Sequence, residues 1–110
     1  MGEYKTLCES TQLSTSLVVL YTANSGRAAL DKVTGANVSG GAVTVDVHIV
    51  PLNGAASAAN KVVSAKSIAA NATDIFPELT GQIMEAGSTL QAKASAATSI
   101  NFRASGRDKL

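Results

Sequence analysis

The chain of 110 residues has one cysteine, one histidine, no tryptophan and two prolines, and each scarcity closes off a class of function. A lone Cys8 excludes an internal disulfide framework and a cysteine-built zinc site, so synthesis and folding in a reducing cytoplasm are expected. With His48 alone there is no H-x-x-x-H pair, and neither common form of phosphate-cradling glycine loop occurs. Only four aromatics are present, Tyr4, Tyr21, Phe76 and Phe102, too few for a platform on which sugar rings stack. Nine basic residues against eight acidic ones give a net charge of +1. No basic run exists, which argues against nucleic acid as a partner. No apolar run approaches a membrane span, and Met1-Gly2-Glu3-Tyr4-Lys5 lacks the basic and apolar regions of a signal peptide. The expectation is a protein without cofactor, metal or catalytic residues, acting neither on nucleic acid nor at a membrane.

What the chain does have is small side chains: 19 Ala, 12 Ser and 10 Thr. Val, Ile, Leu and Phe together make up about 24%, above the roughly 20% level below which a chain stays disordered. One compact domain follows, with no room for a second. A chain this short buries only about two-thirds of its unfolded surface, and here the filling groups are small. Stability shared with a partner subunit, and hence a homo-oligomer, is the physical expectation.

The clearest pattern runs from Ala42 to Val50. Val43, Val45, Val47 and Ile49 share one face and Thr44, Asp46 and His48 the other, the alternation of a half-buried strand. Pro51 ends it before the turn dipeptide Asn53-Gly54. Further strands are read at Ser16–Thr22, at Leu30–Val38 with a hairpin through Ser39-Gly40-Gly41, at Leu90–Ala94, and at Ile100–Ala104. Short strands with turns every 8–12 residues predict a single antiparallel β-sandwich. Residues 55–72 are Ala-rich with apolar positions at helical spacing, so local propensity favours a helix there; the surrounding β pattern favours a strand, which is the reading adopted. Phe76-Pro77 begins a turn or an edge segment. The domain is placed at 14–104, with an N-terminal arm at 1–13 and a tail at 105–110.

Three features carry a hint of chemistry. Thr44, Asp46 and His48 share a strand face, yet neighbours at i and i+2 stand roughly 6–7 Å apart, too far for the hydrogen-bond reach a base needs; a solvated or intersubunit face is the plainer reading. Cys8 precedes Glu9, whose charge disfavours a thiolate, and reads as a small apolar residue. Met1-Gly2-Glu3-Tyr4-Lys5-Thr6 fits a myristoylation pattern without the second signal stable anchoring takes. Asn37-Val38-Ser39 and Asn71-Ala72-Thr73 fit the glycosylation acceptor, which a chain that is not secreted never uses.

The order of Leu17–Ala23, Ala36–Gly40, Val43–Pro51 and Met84–Ala92 resembles small β-sandwich proteins of tailed bacteriophages, among them capsid decoration (cement) proteins and tail or fibre modules. The resemblance covers residues 13–104 in strand-and-turn motifs, and departs from the pattern at Gly35, where a bulky inward residue is expected, and across Asn71–Thr80. It implies a jelly-roll-like virion protein, most simply a decoration protein on the head surface. Such a protein binds across neighbouring major capsid protein subunits; Met1–Leu13 and Ser105–Leu110, polar and outside the strand pattern, are the expected contact segments. A tail, baseplate or fibre component is the alternative, and a small carbohydrate-binding module the alternative of another class.

Overall fold

The computed structural model describes residues 4–24 and 26–109. Nine strands follow in order: β1 (Tyr4–Gln12), β2 (Val18–Thr22), β3 (Ala28–Asn37), β4 (Val43–Val50), β5 (Lys61–Ile68), β6 (Thr73–Asp74), β7 (Ile83–Met84), β8 (Thr89–Ala94) and β9 (Ile100–Arg107). They pair antiparallel into two sheets. One has the order β1-β9-β3, with the two-residue strands β6 and β7 sharing the outer edge of β3; the other has the order β2-β8-β4-β5. This is an all-β sandwich, and its strand order is that of a jelly roll.

The core lies between the sheets. Val43, Val45 and Val47 of β4, with Leu90 and Ala92 of β8, face Leu30 and Val33 of β3 and Ile100, Phe102 and Ala104 of β9, all of them buried. Alanine at Ala92 and Ala104, and at the neighbouring buried Ala94 of β8, keeps the core thin. Gly35 is the extreme case. A Cβ built there would stand 2.7 Å from Phe76 Cε2, so the bulky inward group expected at Gly35 is supplied by Phe76 from the segment after β6. The Phe76 ring is fully buried and lies 5.7 Å from that of Phe102, which is the register partner of Gly35.

Two boundaries differ from the sequence reading. Residues 4–12 are no arm: they form β1, paired along β9 from Tyr4 opposite Arg107 to Gln12 opposite Asn101. Register shifts around Cys8 erase the alternation, so the adjacent Leu7 and Cys8 are both buried. Residues 105–107 are no tail either, since β9 continues to Arg107. Gly106 permits this because a side chain there would collide with the Ala29 carbonyl on β3. In the ambiguous stretch, Lys61–Ile68 is a strand preceded by a single 3-10 turn at Ala58–Asn60.

Each unshared outer edge is irregular. Register shifts interrupt β1 twice, β2 between Val19 and Tyr21, and β5 opposite Asp46. At the last, Ala65 takes φ 48° and its N–H donates to Asp46 Oδ1 at 2.6 Å. This bulge puts Val63 and Ile68, five positions apart, on the same buried side. Bulges of this kind are how natural sheets blunt their edges.

Candidate functional site

The polar face of β4 is engaged in holding its own surroundings. Asp46 Oδ2 lies 3.8 Å from Lys61 Nζ while Oδ1 takes the Ala65 amide. His48 is buried, its Nδ1 2.9 Å from Asn60 Oδ1. Asn60 Oδ1 also accepts from Ser57 N, and its Nδ2 donates to Ala55 O, so His48 fastens the loop after Pro51 onto β4. Thr44 N donates to Ser95 Oγ. The Asp46 and His48 side chains thus meet different partners, and Thr44 is tied through its backbone N–H. Cys8 is buried in β1; burial pushes its thiol pKa up and outweighs the lowering hydrogen bond with Thr11, with smaller effects from the Glu9 charge, which raises it, and Arg103, which lowers it. Among the described residues, no group of three or more His, Cys, Asp or Glu side chains is placed to hold a metal ion, and no helix is long and apolar enough to cross a membrane. Of the acceptor asparagines, Asn37 is buried and Asn71 exposed. The start of the myristoylation pattern, residues 1–3, lies outside the described residues.

The two segments singled out as contact regions do come together. Lys5 of β1, Asp108 and Lys109 after β9, and Val19 to Thr22 of β2 line a cleft of about 530 Å³ on the flank where the sheets meet. Lys5 Nζ is 2.8 Å from Asp108 Oδ2, and the Tyr21 hydroxyl donates to the same oxygen at 3.3 Å. The hydrogen bond from Lys5 holds the Asp108 carboxyl below its usual pKa, and burial together with the Asp108 charge raises that of Tyr21. A second polar fastening closes the opposite flank. Lys66 of β5 reaches Asp74 of β6 at 3.0 Å and Glu78 at 2.8 Å, with its ammonium 5.6 Å from the centre of the Phe76 ring. The second flank is thus bridged from one sheet to the other by a lysine and two carboxylates, whereas on the first the Lys5–Asp108 pair lies within one sheet and the Tyr21 hydroxyl makes the crossing.

Sequence reasoning did not find these bridges, because their members are far apart in the chain and carry no local spacing. It also passed over a property of one end of the sandwich. The antiparallel order brings the loops 13–17, 38–42, 69–72 and 95–99 to the same end. Thr98 N donates to Leu13 O, Val38 N to Ser99 O and Ala94 N to Ser14 O. Asn37 Nδ2 donates to Gly41 O and Ile68 O at 2.9 Å and lies 3.2 Å from Ala69 O, while its Oδ1 accepts from Ser39 N. None of the residues in the four loops is charged. No local signal marked it, since the stretch from Ile49 to Asn60 is equally free of charge and lies at the other end.

The sequence matches no protein-family model and no curated protein. In three dimensions the chain is similar to a chain in the structure of infectious bursal disease virus, Gx strain, with a TM-score of 0.50 at 13% identity over 97% of the present chain. It spans 30% of that longer chain. At this identity the likeness is one of fold: a jelly-roll sandwich of a kind that a virus structure contains.

Proposed function

We propose that this chain is a structural component of a virion, in its most specific form a phage decoration protein. In that reading it sits on the head surface, binds across neighbouring major capsid protein subunits and has no catalytic role. The observation that carries the reading is the jelly roll itself, shared over nearly the whole chain with part of a virus chain and built from side chains too short for much chemistry. Sandwich flanks fastened by ion pairs on one side and by the Tyr21–Asp108 hydrogen bond on the other suit a rigid brick. The cleft formed by β1, β2 and residues 108–109 offers a lateral contact for a neighbouring copy, in place of a loose arm. Labelling this chain on purified phage particles, with heads and tails separated, tests the assignment. Signal on heads supports the decoration role, signal on tails or baseplates moves it to the alternative, and absence from particles refutes both.

A further inference from the structure

The end built from loops 13–17, 38–42, 69–72 and 95–99 stands apart electrostatically. None of these loop residues is charged; Asp46 and Lys93 reach only a depression at the margin, beside Thr15 and Ser95, while Thr15, Ser16, Val38, Gly40, Gly41, Ala42, Ala70 and Ala97 are exposed here. A charged group brought against the four loops would lose its water without gaining a counter-charge, and the marginal Asp46 and Lys93, of opposite sign and facing each other across β4 and β8, favour neither sign of ligand. Phosphate backbones and anionic lipid surfaces, which are bound through cations, are therefore poor occupants, and an uncharged protein surface is a good one.

Area narrows the occupant further. A ten-residue strand spans roughly 33 Å, so the strands run along the 42 Å axis and the end is bounded by the 27 and 19 Å axes. That is on the order of 500 Å² against the roughly 800 Å² each partner gives to a standard interface. Two copies meeting end to end would make a weak dimer. A lattice that presents the same flat surface many times allows small contacts to add through multivalency.

We infer that the uncharged end is the docking surface, and that it seats on an uncharged protein surface repeated across a shell. This deepens the function proposed above and rests on it. Gly40 offers a clean test, since a Cβ there meets nothing within 4 Å and a long side chain projects outward without disturbing the sandwich. Particles freed of this chain are mixed with wild type, Gly40→Arg, Ala97→Glu and, at the opposite end, Ala86→Arg, and bound protein is quantified after thermal melts confirm equal folding. Gly40→Arg and Ala97→Glu are expected to lose occupancy tenfold or more, Ala86→Arg to match wild type, and wild-type occupancy to stay level from about 50 to about 500 mM salt, where surface charge attraction is largely screened. Loss with only one sign of charge, release of wild type by salt, or full binding by both end variants overturns the docking surface. Failure of wild type to bind any particle refutes the function reading instead.

Discussion

Phe76 occupies the place of the side chain that Gly35 lacks, its Cε2 2.7 Å from where a Cβ would stand. The ring comes from a separate segment, at φ 44°, and rests against Phe102 opposite the glycine. A strand glycine that weakens its own sheet thereby becomes a socket for the largest group in the core.

This contact makes the two positions non-additive. Gly35→Ala is expected to cost about 1–3 kcal/mol by overpacking, and Phe76→Ala about 3–5 kcal/mol by leaving a cavity. The double variant should be more stable than the sum of the two losses implies, because the added methyl then enters vacated space. Urea unfolding of the four proteins measures the coupling; simple additivity would contradict the socket.

Asn37 is the polar knot of the uncharged end, its amide nitrogen shared among the carbonyls of Gly41, Ile68 and Ala69. Replacement by Ala strands buried acceptors, each worth about 1–3 kcal/mol. Asn37→Asp should be worse, since a carboxylate oxygen would face carbonyl oxygens. Denaturation midpoints in the order wild type, Asn37→Ala, Asn37→Asp are expected; an Ala variant equal to wild type would show that the donor does not matter, and an Asp variant equal to Ala that no repulsion arises there.

The Lys66 bridge gives stability a defined pH window. Burial opposes the charge on Lys66, but hydrogen bonds to Glu78 and Asp74 outweigh it and raise the pKa; the bond from Lys66 lowers that of Glu78. A lowered carboxylate stabilises the fold above its unfolded pKa of about 4.3, and the contribution is lost as pH falls through the lower folded value; a raised lysine stabilises below about 10.4 and loses its effect as pH climbs past its folded value. Glu78 is well exposed, so solvent screening limits the bridge to about 1 kcal/mol. Lys66→Met should therefore trail wild type near neutral pH and converge with it once pH falls below the lowered value of Glu78 or rises above the raised value of Lys66. A gap independent of pH would point to packing on Phe76 instead.

Much of this fold could be read along the chain, where alternation survives. β4 has it through Val47, so Val43, Val45 and Val47 are buried as expected, while beyond them His48 and Val50 are buried and Ile49, expected on the same face, is half-buried. β1 does not: with Leu7 and Cys8 buried side by side, its polar remainder passes for an arm. In β5 the bulge at Ala65 scrambles the period, so alanine's helical preference competes with the strand. The residues at the candidate contact surfaces were harder to see. Lys5, Tyr21 and Asp108 meet only because β1, β2 and β9 come together at one flank, a relation no local spacing records.

Cys8 reports on β1. Its thiol is buried with a raised pKa, so alkylation of the native protein at pH 8 should be far slower than in denaturant, the thiolate being the reactive form. Labelling should accelerate in step with any variant that loosens the β1–β9 pairing, as read by mass spectrometry. Equal rates in native and unfolded protein would mean that β1 opens freely.

The bulges on β1, β2 and β5 bear on behaviour at high concentration. Fibril growth needs a flat, regular row of unpaired amides on which the next molecule adds, and each of these margins is twisted out of that geometry. Crowded copies of this chain therefore lack a template for runaway stacking, and a concentrated stock should stay dispersed and free of dye-binding aggregates.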